Sequence, residues 1–315
     1  MNNNNLNVLI TGAKGFIGQH VASFFSKKGW TVTGLGKGNW KEEEWKACGM
    51  KRWISSEVNA SSLLKYAEQP FAIIHCAGGS SVSGSIIEPL IDYNNTVGSL
   101  INVFEYIKSY SPKTRLIFLS SAGVYGNVKN LPILETSPLN PISPYGLHKK
   151  KAEDICLYYS KNFNLSAAII RLFSIYGEGL KKQLIWDACQ KIKKNDLVFC
   201  GTGSEVRDWL HVTDAVRLIY KALKFSSEKC PIVNGGFGIG VENIHLLNQL
   251  LIYFNCSSHL IFTGLNRSGD PQSYIADIEG AKNWGWSPKI SWQEGILKYV
   301  KWFLKESCDS SRIYI

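Results

Sequence analysis

The sequence predicts an α/β fold: a doubly wound parallel sheet followed by a smaller second lobe. Three observations carry that expectation. Short apolar runs alternate with helical patterns through the first half of the chain, a glycine-rich turn closes the first run, and regular patterning loosens after Tyr176. Residues 6–11 (LNVLIT) form an apolar run that stops at Gly12, as a buried parallel strand does. A helical stretch over 16–28 closes at Gly29, a natural C-cap. Further strands are predicted at 30–35, 71–76 and 115–120, with helical patterns near 60–67 and 95–109 between them. Beyond Tyr176 the segments are basic and loop-rich, until an amphipathic helix at 292–305.

Composition narrows the class of protein. Of 315 residues, 45% are hydrophobic and only 19% charged, which excludes a disordered chain. The net charge of +10 attracts anions, leaving nucleic acid, anionic membrane and phosphorylated small molecules as partners to separate. Eight cysteines stand singly with no C-x-x-C pair, so neither a metal site nor a disulfide framework is expected. The first residues, MNNNNLNVLITG, lack a basic leader, and no apolar run approaches the roughly 18 residues of a membrane span. A soluble, reduced, cytoplasmic protein without a membrane partner is the expectation.

The turn after the first strand, TGAKGFIG at 11–18, spaces Gly12, Gly15 and Gly18 by threes. Such glycines permit a tight turn, close approach of a pyrophosphate to the backbone, and close packing of helix on strand. The pattern therefore predicts a dinucleotide site. An acidic residue at the end of the second strand would normally hold the adenosine ribose. Gly36 and Lys37 stand there instead, and a lysine attracts a 2′-phosphate. NADP is the expected cofactor, with NAD the alternative.

Tyr-x-x-x-Lys occurs three times, as Tyr125/Lys129, Tyr145/Lys149 and Tyr220/Lys224, so context must choose among them. Tyr125 runs into the turn Gly126-Asn127, and Tyr220 lies late in an ordinary amphipathic helix. Tyr145 follows Ser143-Pro144, an N-cap with proline at the first helical position, which sets Tyr145 and Lys149 on one face. The strand over 115–120 delivers Ser120-Ser121 to the carboxyl edge of the sheet, where ligands of such folds bind. A phenol is a poor base at pH 7; a nearby ammonium and a cationic nicotinamide are expected to lower its pKa. Tyr145 can then take a proton from a sugar hydroxyl while Ser121 holds the oxygen.

Seven motifs in order, TGAKGFIG (11–18), HCAGGSSVSGS (75–85), SSAGVYG (120–126), SPYGLHK (143–149), RLFSIYGEG (171–179), RDWLHVTDA (207–215) and RSGDPQSYIAD (267–277), resemble the extended short-chain dehydrogenase/reductase family. The resemblance is to its nucleotide-sugar epimerase/dehydratase branch and runs from Val8 to about Phe303. It implies a Rossmann-type dinucleotide lobe over 1–175 and a smaller, discontinuous C-terminal α/β lobe over 176–315 for the nucleotide-diphosphate sugar, with part of 208–250 returning to the first. It implies that Gly12, Gly15, Phe16, Ile17 and Gly18 meet the pyrophosphate, with Ala77, Ser80 and Asn95 near the nicotinamide ribose. Ser121, Tyr145 and Lys149 become the catalytic trio, the latter two also touching cofactor. Ser81, Ser121, Ser174, Arg207, Arg267 and Asp270 become substrate contacts, two arginines suiting a diphosphate through paired hydrogen bonds. A homodimer through the helices near 95–109 and 145–161 is the implied assembly.

Departures from the family pattern shape the functional expectation. Ala122-Gly123 stands where sugar 4,6-dehydratases carry Asp-Glu, so elimination of water is not expected. Ser174 replaces an asparagine common in the family, and Ser80 the lysine of some epimerases. The expected activity is a nucleotide-sugar 4-epimerase working by transient oxidation at C4. The alternative is an NADP-dependent 4-ketoreductase or 4-dehydrogenase. A non-catalytic nucleotide- or RNA-binding member is disfavoured by the intact trio, and Lys149-Lys150-Lys151 lacks the aromatic-basic stripe of a nucleic-acid surface. His75, His148 and His211 are expected to serve hydrogen bonding or packing, and Asp208 and Asp214 local structure.

Overall fold

The computed structural model describes residues 6–265 and 271–311. Strand β1 (Asn7–Thr11) leads through helix α1 (Phe16–Lys27) to β2 (Thr31–Gly36), and α2 (Glu42–Ala47) leads to β3 (Arg52–Ser55). The chain then returns across the sheet by α3 (Ala60–Tyr66) to β4 (Ala72–His75). Helices α4 (Val82–Ile87), α5 (Pro89–Tyr93) and α6 (Ser99–Tyr110) precede β5 (Arg115–Ser121), and α7 (Pro144–Phe163) precedes β6 (Ala167–Leu172). With a later strand, Ile232–Gly235, these make one seven-stranded sheet in the order Ile232–Gly235, β6, β5, β4, β1, β2, β3. Every neighbouring pair is parallel. The order reverses between β1 and β4, so a crevice opens beyond Thr11 and His75, the place where such sheets bind ligands.

Both faces of the sheet are covered, as near-continuous apolar strands require. Val8, Ile10, Ile74 and Ile117 face α1 and the helix Val212–Phe225, packing on Val21, Phe25, Val216 and Ile219. The alternate residues Leu9, Ile73, Leu116 and Phe118 face α3, α6 and α7, packing on Leu63, Val103, Phe104 and Cys156. A separate core of Ile185, Leu246, Leu250, Tyr299 and Phe303 holds together the helices Gln183–Lys193, Asn243–Tyr253 and Trp292–Ser311 beside a three-stranded sheet.

Most of the predicted strands and helices lie within a residue or two of their expected bounds; the last helix, Trp292–Ser311, runs six residues past its expected end, and one further exception is instructive. Residues 94–98 wind as a π-helix, and α-helical geometry begins only at Ser99, whose hydroxyl donates to the Asn95 carbonyl at 2.5 Å. A 3.6-residue pattern read in sequence does not register the extra residue of a π turn, a feature common beside functional sites.

Candidate active site

The turn after β1 is built by close approach. Gly12 holds φ +68 and donates its N–H to the Leu35 carbonyl at 2.7 Å; a side chain at Gly18 would stand 2.5 Å from the Gly12 carbonyl oxygen. Helix α1 begins at Phe16 with Gly15 as its N-cap, no side chain capping it and no acid in its first turn. Its first N–H groups and the positive end of its dipole therefore face the crevice without an internal acceptor, which fits a pyrophosphate. Phe16, Ile17 and Ala77 border the same turn, Ala77 N–H lying 3.4 Å from Thr11 Oγ1.

At the far edge of that crevice Lys37 is already engaged. Its ammonium lies 3.0 Å from Glu57 Oε1 and donates to Asn95 Oδ1 at 3.2 Å. Glu57, just beyond β3, supplies a carboxylate near the place where sequence found Gly36, and only pairing of β2 with β3 brings it there. Lys14 reaches the same edge, donating to the Asn39 carbonyl at 2.5 Å. Neither Glu57 nor Lys14 was picked out in sequence.

The chemistry-bearing residues converge at the carboxyl end of β5. Ser143 caps α7 by accepting from Gly146 N–H at 3.2 Å, and Pro144 holds the first helical position, as expected. Tyr145 is fixed by its own N–H, which donates to Ser85 Oγ at 3.0 Å, and Ser121 draws the pKa of its phenol down against the burial that raises it. Ser121 also accepts from Gly123 N–H at 3.1 Å. Lys149, one turn on, is buried and donates to the Leu119 carbonyl at 2.9 Å, its ammonium 5.9 Å from the centre of the Tyr145 ring. Burial brings Lys149 down to about 8, against an opposing pull from Asp92. The other two tyrosine–lysine spacings are unrelated to this site: Tyr125 is hydrogen-bonded to Asn234 and Arg171 in the core, and Tyr220 packs on Phe24, Phe25 and Trp30.

The lysine together with a cationic nicotinamide was expected to lower the Tyr145 pKa. Among the protein's own groups burial raises it most, Ser121 draws it down, and Asp92 raises it further.

The remaining predicted contacts are scattered differently. Ser80 is exposed in the loop after β4, and its carbonyl accepts from Lys182 at 3.2 Å, a bridge from the start of the helix Gln183–Lys193. Ser81 caps α4, accepting from Gly84 N–H at 3.1 Å. Ser174 opens the short strand Ser174–Tyr176, and Arg207 on Val206–His211 donates to the carbonyls of Val206 and Gln272 at 2.9 and 3.3 Å. Arg267 and Asp270 lie outside the described residues. Asp208 is buried and accepts from the N–H groups of Phe237, Gly238 and Ala276, while Asp214 accepts from Lys289 and Ile290. His148 serves hydrogen bonding as expected, its Nδ1 lying 2.6 Å from Oδ2 of Asp92, a buried carboxylate that sequence passed over.

Residues 8–236 match the NAD dependent epimerase/dehydratase family. The chain belongs to that family. It is 29% identical over 307 residues to a putative UDP-glucose 4-epimerase of Methanocaldococcus jannaschii, covering 94% of this chain and 97% of that one. It is 30% identical over 309 residues to UDP-glucose 4-epimerase of Lactobacillus helveticus, covering 90% and 92%. Among solved structures, UDP-glucose 4-epimerase from Thermotoga maritima, determined with UDP-glucose, superposes with a TM-score of 0.87 at 26% identity, covering 96% of this chain and 99% of the other. In this member of the epimerase/dehydratase family the glycine turn follows β1 and the Ser121–Tyr145–Lys149 group follows β5, with β4 between them in the sheet.

Proposed function

We propose that this protein is a nucleotide-sugar 4-epimerase that oxidises C4 of the hexose transiently and reduces it on the opposite face. The observation that carries the reading is the gathering of Ser121, Tyr145 and the buried Lys149, its ammonium 5.9 Å from the Tyr145 ring, at the end of β5, two strands from an uncapped helix N-terminus after β1. Bound NAD supplies the hydride exchange at C4. Tyr145 accepts the proton of the C4 hydroxyl and later returns it. Ser121 holds the oxygen as it passes between hydroxyl and carbonyl. Lys149 stabilises the phenolate electrostatically, and burial of the group keeps water from competing.

NAD is the favoured dinucleotide. Lys37, the residue that suggested NADP, is bonded to Glu57 and Asn95, so a carboxylate rather than a free cation faces that end of the crevice. With this the support for a one-way NADP-dependent 4-ketoreductase weakens. The division of labour is dinucleotide at 1–175 and sugar nucleotide at 176–315; the strand Ile232–Gly235 pairing with β6 supports a returning segment. Arg207, Ser174, Arg267 and Asp270 would hold the sugar nucleotide. A homodimer through the helices near 95–109 and 145–161 is supported by exposed apolar residues on them, Tyr110 at 53%, Leu147 at 43% and Tyr158 at 56% exposure. A cytoplasmic location fits the unpaired cysteines among the described residues, where no helix is long and apolar enough to cross a membrane.

The test is direct. Purified protein is denatured and its released dinucleotide identified, and UDP-glucose is supplied without added cofactor. NAD in the supernatant and formation of the C4 epimer are expected, and Tyr145→Phe should lower turnover by about 10²–10⁴-fold. Cofactor-free protein that consumes NADPH only with a 4-keto sugar would overturn the epimerase reading.

A further inference from the structure

The buried pair behind Lys149 has chemistry the proposed function does not use. Asp92, on α5, and His148, on α7, are 6% and 8% exposed, and Asp92 Oδ2 lies 2.6 Å from His148 Nδ1. The other carboxylate oxygen presses on the loop after β4: a side chain at Gly79 would stand 1.7 Å from Asp92 Oδ1. A side chain on the preceding Gly78 would stand 3.4 Å from Lys149 Nζ and 3.3 Å from Thr96 Oγ1. Thr96 in turn accepts from Gly79 N–H at 2.8 Å. Two consecutive glycines therefore let the carboxylate, the ammonium and the π turn all approach the same stretch of loop.

We propose that Asp92, steered by His148, is the counter-charge of the Lys149 ammonium and thereby a positioning residue for proton transfer at Tyr145. This rests on the epimerase reading of the same site.

A census of the groups facing Lys149 supports the choice of Asp92. On its own helix stand Tyr145, His148, Cys156 and Glu153, and Glu153 is committed to Arg171 on β6 through a double hydrogen bond and to Ser120. At the end of β4, burial holds Cys76 up at about 12 and His75 down at about 3, so both are neutral. Asp92, on α5, exerts the strongest upward pull on Lys149 against the burial that lowers it. Its own partner is the His148 imidazole at 2.6 Å rather than a guanidinium fork like the one that holds Glu153. The same charge pushes Tyr145 up, so Asp92 acts on both members of the dyad in one direction.

The test compares Asp92→Asn, which keeps the shape, and His148→Asn, which keeps a donor toward the carboxylate, with the wild type. Epimerisation is followed from pH 6 to 10, and NAD affinity is measured calorimetrically over the same range. For Asp92→Asn the entire bell-shaped profile should slide to lower pH by about one unit, because Tyr145 and Lys149 both lose the charge that raises them. The alkaline fall in NAD affinity should slide with it, while His148→Asn keeps the wild-type midpoints. A profile that drops in height with both limbs in place assigns the pair to packing and overturns the proposal, as does an Asp92→Asn profile equal to the wild type. If the wild type epimerises nothing, the functional reading fails separately, and the NAD-affinity midpoint still decides whether Asp92 acts on Lys149.

Discussion

Helix α7 carries two buried charged groups one turn apart, and they are built on opposite principles. Arg171 meets Glu153 through Nε at 3.0 and 3.2 Å and Nη2 at 2.7 Å, while Ser120 donates to the same carboxylate at 2.5 Å. The remaining guanidinium nitrogen donates to the Tyr125 hydroxyl and the Glu135 carbonyl at 2.9 and 2.8 Å. Every charge there is matched by an opposite charge in fork geometry, so the network ties β5, β6 and α7 together and has no capacity left for a ligand. Around Lys149 the matching is incomplete. The ammonium donates to a single carbonyl, and the Asp92 carboxylate that pulls its pKa up is itself hydrogen-bonded to an imidazole. Full satisfaction makes architecture; partial satisfaction in the same dry environment leaves groups whose protonation a substrate can change.

The contrast is broken most forcefully at Glu153. Replacing it with Gln leaves Arg171 buried without its partner and should cost about 3–5 kcal/mol of folding stability. Urea unfolding would show it, and an unchanged midpoint would mean that the network is dispensable. Ser121→Ala strikes the other group: kcat should fall by about 10²-fold through loss of a donor to the C4 oxygen, with the unfolding midpoint nearly unchanged. Equal loss of stability and rate would make Ser121 a structural residue instead.

His75 sharpens the comparison from between the two. It is fully buried, and its nitrogens are hydrogen-bonded to Thr11 at 2.8 Å and Ser99 at 3.2 Å. Burial, reinforced by Lys149, lowers it from 6.5 to about 3. Between those values the unfolded chain binds a proton that the folded chain does not, so stability falls as pH drops from about 6.5 towards 3. At pH 5.5 the loss should be about 1 kcal/mol, and it should vanish in His75→Gln when stability is measured against pH. An unaltered acid slope would show that other groups set it.

Local order was legible because it is written in neighbouring residues. The run 6–11, the glycine spacing at 12, 15 and 18, and the cap Ser143-Pro144 each specify their own backbone, and all three recur in the structure. Tyr145 and Lys149 were legible for the same reason, since one helical turn aligns them. The partners of those residues were not. Asp92 reaches His148 from another helix, Lys182 reaches Ser80 from beyond β6, and Glu57 reaches Lys37 only because β3 pairs with β2.

By itself the sequence determined the alternation that makes the sheet, a glycine turn shaped for close approach of a phosphate, and the residue types that can exchange a proton at a sugar hydroxyl. Each depends on spacing of a few residues, which backbone geometry converts directly into shape. The tertiary structure alone decided the electrostatics. Whether Lys37 is free for a phosphate, whether Tyr145 is raised or lowered, and which carboxylate faces Lys149 all depend on burial and on charges distant in the chain. Those energies arise from the fall in dielectric when the two faces of the sheet are covered, and no stretch of sequence carries that information locally.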